Sequence, residues 1–190
     1  SDQSINDFID SKINWIKKKI NEKKNFFKRK KINFLEGDIL YLFGYDLSLN
    51  LVLGKTTAIY SNNNIIKVLL ARKNINIQAL IEKWYKGKSI NYLENRTNYY
   101  ANIMGLKPSY VKIKNFKKRL GSCSIKGEIV FNWKIIMFPR DIIDYIIIHE
   151  LSHLIYFNHS KNFWNTVEKF CPDFKGHKDW IRKNLEMISW

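Results

Sequence analysis

The sequence has few cysteines and no long apolar run, and each scarcity excludes a class of protein. Its 190 residues include only two cysteines, Cys123 and Cys171, and no CxxC pair, so a disulfide-stapled secreted scaffold is excluded. We therefore expect reduced thiols and a cytoplasmic location. The apolar run at residues 145–148 ends at His149 and Glu150, whereas a membrane span needs about 20 apolar residues. No membrane segment is expected.

Acidic residues are also scarce, and this leaves a strongly basic chain. The chain has 17 acidic residues and 33 lysines and arginines, which gives a net charge of +16. Residues 12–31 are the most basic segment, with ten basic side chains and one acid, Glu22. Lysine and asparagine are abundant throughout, so two interpretations stay open: a solvated helix face with a basic connector, or a surface that binds nucleic acid.

Hydrophobic periodicity predicts an α+β protein. Apolar residues at three- and four-residue steps predict an amphipathic helix over residues 4–25. Short apolar stretches between turn residues predict hairpins at 34–70 and 110–136. Further helices are expected at 76–104, where Gly87 is either a break or tolerated, and at 139–156, 160–170 and 177–188.

The order of these elements suggests two parts. We expect an N-terminal helix and β-hairpin lobe at residues 1–72 and a catalytic domain at 73–190. Because the chain begins at Ser1 without an initiator Met, we expect it to start inside a longer natural protein, with the N-terminal lobe incomplete.

The most informative motif is His149-Glu150-Leu151-Ser152-His153. Residues four apart on a helix lie on the same face, so His149 and His153 can direct two imidazoles at one point. Glu150 lies one step round the helix, within reach of a water on a metal held there. This HExxH spacing is typical of zinc peptidases.

A catalytic zinc needs a third protein ligand and an open position for water. His159 follows His153 by six residues, so the chain must turn after about Tyr156 for its imidazole to reach the metal. Asn158, which tolerates left-handed conformations, is a suitable place for this turn. The spacing equals that of metzincins, but their characteristic Gly falls at Tyr156 here.

Two structural interpretations compete with a catalytic metal. The chain has only four histidines, and three lie between residues 149 and 159. They could be core histidines that bond to carbonyls, or they could hold a structural zinc whose fourth ligand is Cys123 or Cys171. Scarcity of histidine makes a chance HExxH match improbable, so we favour the catalytic site. Asp144 and Asp173 are candidate acceptors for the free N–H of a ligand imidazole.

The motif lies among other blocks that resemble one family. These blocks are Ile13-Asn14-Trp15-Ile16-Lys17-Lys18-Lys19, Arg119-Leu120-Gly121-Ser122-Cys123-Ser124, Gly127 with Ile129 and Asn132, Pro139, Ile143-Asp144-Tyr145, Asn158-His159-Ser160, Phe163-Trp164 and Pro172-Asp173-Phe174. The chain resembles the YgjP-like metal-dependent hydrolases, a bacterial family related to the SprT and WLM zinc peptidases. Leu120 stands where the family has Trp, and the family's N-terminal strand segment is missing.

This resemblance implies a zincin-like fold, with the HExxH helix packed beside a small antiparallel sheet, and one bound Zn²⁺. The expected activity is hydrolysis of peptide or protein substrates, with Glu150 as the base for the attacking water. Arg119, Tyr156 and His177 are candidates for transition-state or substrate contacts. Each also has a structural interpretation, as an ion pair, a packing residue and a helix-start residue respectively.

The positive charge of the chain leaves a second function open. In this alternative the protein is a basic nucleic-acid-binding module with a structural zinc, and residues 12–31 contact the polyanion. The two functions can combine, because the SprT and WLM relatives act on proteins held on DNA. No sequence feature indicates an oligomeric state.

Overall fold

A computed structural model describes residues 12–13, 32–62, 64–72 and 74–190 of the chain. Lys12 and Ile13 are helical, but the rest of the predicted helix at 4–25 and of the basic segment at 12–31 lies outside the described residues. Residues 32–189 form one compact unit. The domain boundary at residue 72 stays a prediction.

A four-stranded sheet begins this unit, with strands β1 (Ile39–Leu42), β2 (Tyr45–Leu53), β3 (Ala58–Asn62) and β4 (Ile65–Leu70) in the order β1-β2-β4-β3. The outer pairs are antiparallel, and β2 runs parallel to β4. The hairpin of β1 and β2 was predicted. Strand β3 was not, because it lies at an edge without buried residues and lacks a clear apolar alternation.

The turn between β1 and β2 joins this sheet to the segment before the HExxH helix. Phe43 and Gly44 both have positive φ, 52° and 82°, as a two-residue type I′ hairpin requires. Their N–H groups donate to the carbonyls of Ile136 and Met137 at 2.8 and 3.0 Å. A Cβ on Gly44 would lie 2.7 Å from Cγ of Pro139, so only glycine permits this close contact.

A 28-residue helix, α1 (Ile77–Met104), follows the sheet as predicted. The Asn76 side chain caps it by accepting from the Ala79 N–H at 3.0 Å. Gly105, with φ 66°, ends it in a left-handed conformation. Gly87 does not break the helix. Among the described residues, no helix has both the length and the apolar character that crossing a bilayer requires.

The second sheet lies beside the HExxH helix and contains β5 (Tyr110–Lys114), β6 (Gly121–Cys123) and β7 (Glu128–Asn132) in the order β5-β7-β6. The predicted pairing was partly wrong. β5 runs parallel to β7, and the hairpin is formed by β6 and β7. The sheet is therefore mixed rather than antiparallel, a difference that residue alternation alone does not reveal, because both pairings have a period of two.

Three helices complete the unit, and their bounds correct the predicted ones. A 3₁₀ turn (Trp133–Met137) leads into α2 (Arg140–Ser152), which ends four residues before the predicted Tyr156. α3 (Lys161–Phe170) agrees with its prediction. α4 (Phe174–Asn184) starts earlier than residue 177, and a 3₁₀ turn (Leu185–Ile188) follows it. The α+β class and the HExxH helix packed beside a small sheet are confirmed.

α2 is the central helix of the core. Nine of its 13 residues are buried, on all of its faces, which is typical of a helix enclosed by other elements. It packs against α1, α3, α4 and β6. The side chains that project from its C-terminal end are therefore held on a rigid support.

Candidate metal centre

Three imidazoles meet at the C-terminal end of α2. His149 lies in the last turn of the helix, and His153 is the residue that caps it. His159 comes from the loop before α3. One ring nitrogen from each of the three lies within 4.8 Å of the others, and Nε2 of His149 is 3.2 Å from Nε2 of His159.

The loop that delivers His159 begins with a tightened helical turn. The N–H groups of Leu154 and Ile155 donate to the carbonyls of Leu151 and Ser152 at 3.0 and 3.2 Å, each three residues back, as in a 3₁₀ turn. The chain then reverses before Ser160, which caps α3. The bend lies at Phe157 and Asn158, where the turn was predicted, and it needs no left-handed residue: in the described chain the only non-glycine residues with positive φ are Phe34 and Phe43.

Two contacts orient the rings. Nδ1 of His153 lies 2.9 Å from the Tyr156 carbonyl, to which it can only donate, so this contact leaves Nε2 of His153 unprotonated and available to a metal. The ring of His159 stacks on Trp164 with centroids 5.6 Å apart. Phe163 is fully buried beneath the cluster and contacts all three imidazoles.

Burial and charge repulsion favour the neutral form of two of the imidazoles, those of His149 and His159. Burial lowers the pKa of His149 to about 3, and the charges of His153, His159 and Lys178 act in the same direction. Burial also lowers the pKa of His159, again with the charges of His153 and Lys178. A neutral imidazole is the form that binds a metal.

The donor set fits a zinc ion. Zinc bonds to imidazole nitrogen at about 2.0–2.1 Å, which places two tetrahedral nitrogen ligands about 3.3 Å apart, and the nitrogens of His149 and His159 are separated by 3.2 Å. Three protein ligands leave one position open, as in catalytic sites. Neither cysteine belongs to the cluster within the described chain, which disfavours the structural site completed by Cys123 or Cys171.

The interpretation as ordinary core histidines is disfavoured by the way the rings face one another. Nε2 of His149 lies 3.2 Å from Nε2 of His159, and among the described residues of the cluster only His153 bonds to a carbonyl. Since buried polar atoms in a purely structural role are almost always paired with donors or acceptors of the protein, imidazole nitrogens that converge on one another are better explained by a shared ligand.

Glu150 is buried beside the cluster. Its side chain is 7% exposed, and no described group donates a hydrogen bond to its carboxylate. Burial raises the pKa of Glu150 to about 8, while the positive charge of Arg119 opposes the shift. Gly121 of β6 makes room for it: a Cβ there would lie 2.7 Å from Oε1 of Glu150.

A cleft of about 310 Å³ opens onto Glu150 and His149. Its lining residues are Arg119, Leu120, Gly121, Tyr145, Ile146, His149, Glu150, Lys178 and Ile181. Arg119, one of the three predicted contact residues, is therefore in the cleft. Leu120 lies there too.

The other two predicted contact residues lie outside the described lining of this cleft. Tyr156 contributes its backbone carbonyl to His153, and its half-buried side chain packs against the core. His177 lies 4.0 Å from a carboxylate oxygen of Asp173 and packs near Tyr145. The structure thus brings Arg119, but not Tyr156 or His177, to the cleft beside Glu150.

The predicted carboxylate partners of the imidazoles were wrong. Asp144 accepts two hydrogen bonds from Arg96 of α1, both at 2.6 Å, and one from the Tyr100 hydroxyl at 3.0 Å. Asp173 pairs with His177 rather than with a member of the cluster. Asp144 lies five residues before His149, so it projects from another face of α2.

Two residues of the cleft with polar side-chain groups, Tyr145 and Lys178, were not predicted. Tyr145 lies four residues before His149 and therefore on the same face of α2, a signal that the sequence did contain. Its ring meets that of His149 with centroids 6.0 Å apart, and burial raises the pKa of its hydroxyl to about 12. Lys178 reaches the cleft only because α4 packs against α2, and no local pattern indicates this.

Comparison with known proteins gives a family and two structural neighbours. The family model described as YgjP-like, metallopeptidase domain, matches residues 1–184. No curated protein matches the chain. The metallopeptidase zymogen abylysin of Pyrococcus abyssi is similar at 30% identity and a TM-score of 0.46, over 50% of this chain and 95% of that one. The metallopeptidase zymogen jannalysin of Methanocaldococcus jannaschii is similar at 24% identity and a TM-score of 0.41, over 48% and 95%.

Proposed function

The chain belongs to the YgjP-like metallopeptidase family, and from this premise we propose that it is a zinc-dependent peptidase with Glu150 as its catalytic base. In this proposal, His149, His153 and His159 hold one zinc ion. The observation that carries the proposal is the meeting of three imidazole nitrogens within 4.8 Å at the edge of a cleft that contains Glu150.

Zinc, when bound, polarises the scissile carbonyl and lowers the pKa of a water molecule towards about 7. The residues of the chain supply the remaining chemistry. Glu150 accepts a proton from the attacking water and returns it to the leaving amine. Its burial keeps solvent away from that proton, and the absence of a described hydrogen-bond donor leaves its carboxylate oxygens available.

The tetrahedral oxyanion needs a donor besides the metal. Arg119 is the predicted candidate that lies in the cleft, and its charge acts on Glu150. We therefore assign the donor role to Arg119 rather than to Tyr156 or His177.

The edge of the second sheet offers a binding surface for an extended peptide. β6 is an edge strand. The Leu120 carbonyl accepts from the Asn132 N–H, and the Ser124 N–H donates to the Glu128 carbonyl. The main-chain groups of every second residue along this strand therefore point towards β7. The main-chain groups of Gly121 and Cys123 therefore point away from the sheet. A substrate strand pairing with them would lie beside Glu150.

The alternative of a basic nucleic-acid-binding module depends on residues 12–31. These lie outside the described chain except for Lys12 and Ile13, so this function stays a prediction from the charge.

The proposal is tested by the substitution Glu150→Gln. We expect the variant to keep its bound zinc and to lose hydrolysis of an unstructured protein such as casein, because an amide cannot accept the proton. Glu94→Gln, the same chemical change at an exposed position of α1, is the control and should retain activity. Full activity in Glu150→Gln, or wild-type protein that binds no metal, would overturn the proposal.

A further inference from the structure

The cleft carries more positive charge than the proposed chemistry uses, because Arg119 has a role in it and Lys178 has none. Among its described lining residues, Glu150 is the only acid, whereas Arg119 and Lys178 are both basic. Glu150 is almost fully buried, while the two basic residues are exposed. A peptide entering the cleft therefore meets cations first.

Lys178 is held close to the metal centre by aromatic packing. Its Nζ lies 4.8 Å from the centre of the Trp164 ring. Trp164 in turn stacks on His159, at 5.6 Å, and on Phe174, at 5.2 Å. A cation over an indole face is attracted to it, so this contact favours a position of the ammonium group beside the imidazole cluster.

Lys178 has no carboxylate partner in the described chain. The acid next to it in sequence, Asp179, pairs with Arg182 at 3.2 Å, and Asp173 lies beside His177 at 4.0 Å. The ammonium group is therefore available to an anion in the cleft.

We propose that Lys178 makes the cleft selective for peptides that carry a carboxylate next to the scissile bond. This inference rests on the proposed peptidase function and adds a substrate class to it. The carboxylate can come from an Asp or Glu side chain or from a free chain terminus, because Lys178 recognises the same group in both. A basic residue at that position is disfavoured by repulsion from Lys178 and Arg119.

The test uses a peptide spanning a bond that the wild-type protein cleaves in casein. Three amidated versions carry Glu, Gln or Lys at the residue after that bond, and a fourth ends there with a free carboxyl terminus. For the wild type we expect kcat/KM to be about tenfold higher with Glu than with Gln, the size of one charged hydrogen bond, and lowest with Lys. Comparing the fourth peptide with its amidated form shows whether a terminal carboxylate is accepted as well.

Three variants assign the preference to the charge of Lys178. Lys178→Met keeps an unbranched side chain over Trp164 and removes the ammonium group, so the ratio of Glu to Gln should fall towards one. Lys178→Arg should retain the preference. Lys175→Met is the matched control: Lys175 is on the same helix and stacks on Phe174 at 5.6 Å, but it is not among the cleft residues, so the ratio should stay at the wild-type value.

A binding measurement separates this inference from the proposed function. In the Glu150→Gln background, calorimetry should show tighter binding of the Glu peptide than of the Gln peptide, and Lys178→Met should remove the difference. Cleavage or binding without a preference for Glu, or a preference that survives in Lys178→Met, would overturn the role of Lys178. Absence of cleavage by the wild type would overturn the peptidase function. In that case the binding ratio is measured with an amidated pentapeptide that has Glu, Gln or Lys between two glycines on each side, and it still decides the role of Lys178.

Discussion

One helix carries two polar centres that are satisfied very differently. In the first half of α2, Asp144 accepts three hydrogen bonds, from Arg96 and Tyr100. In the last turn, Nε2 of His149 faces Nε2 of His159 at 3.2 Å, and Glu150 is buried without a described donor. The two centres are little more than one helical turn apart.

The difference distinguishes a structural polar group from a functional one. Arg96 reaches Asp144 from α1 and lies over Tyr99 and Tyr100 at 4.7 and 4.9 Å, so this centre fastens α2 to the long helix. Buried groups that lack partners cost stability and persist where a ligand or reaction uses them. The unpaired centre is thus where chemistry is expected.

The largest expected effect comes from breaking the hydrogen-bonded centre at Asp144. Arg96→Met leaves the Asp144 side chain, which is 14% exposed, without its cation, and we expect the free energy of unfolding to fall by about 3 kcal/mol. Urea denaturation measures it. Arg182→Met removes the same type of pair at the surface, where both side chains are at least 60% exposed, and should cost less than about 1 kcal/mol. Equal losses in both variants would refute the structural role of Arg96.

A smaller effect is expected from crowding the unpaired centre. Gly121→Ala places a Cβ 2.7 Å from Oε1 of Glu150, so the carboxylate must move. We expect kcat/KM to fall by about tenfold to a hundredfold. Some stability should be lost as well, because the Cβ would also lie 2.8 Å from Cγ and 2.9 Å from Cδ of this buried side chain.

Gly87→Ala provides the control for that variant. A Cβ at residue 87 would meet nothing within 4 Å, and the position is exposed in the interior of α1. It should raise the free energy of unfolding by about 0.5–1 kcal/mol and leave activity unchanged. An active Gly121→Ala enzyme with wild-type kinetics would show that Glu150 does not need its observed position.

The smallest expected effect is a change in stability that has opposite signs at the two centres. In metal-free protein, Glu150→Gln removes a buried carboxylate that has no donor, so the free energy of unfolding should rise by about 1 kcal/mol. Asp144→Asn should lower it, because the amide keeps only part of the contact with Arg96. Thermal denaturation of the two variants compares them directly. If both are destabilised equally, Glu150 has a structural role that its surroundings do not reveal.

The sequence predicted the cluster of three histidines better than its surroundings. His149 and His153 share a helix face through spacing alone, and the scarcity of histidine drew attention to His159. The path to His159 was predicted less well, because α2 ends at Ser152 and the next residues tighten into a 3₁₀ turn. That ending depends on packing and on the bond from His153 to the Tyr156 carbonyl.

Contacts between distant elements were beyond the sequence patterns. The parallel pairing of β5 with β7, the ion pair of Arg96 with Asp144, and the arrival of Lys178 in the cleft all join segments far apart in the chain. Periodicity indicates which face of an element is buried but not which element covers it. The long helix α1 was predicted well because its caps, Asn76 and Gly105, are local signals.

The most direct test of the account is the zinc content of the purified protein and of His159→Ala, measured by mass spectrometry of the metal. We expect a single equivalent of zinc in the wild type and a clear loss in His159→Ala. His177→Ala, which changes the one histidine outside the cluster, should keep its zinc. Wild-type protein without zinc, or equal zinc in all three proteins, would contradict the account.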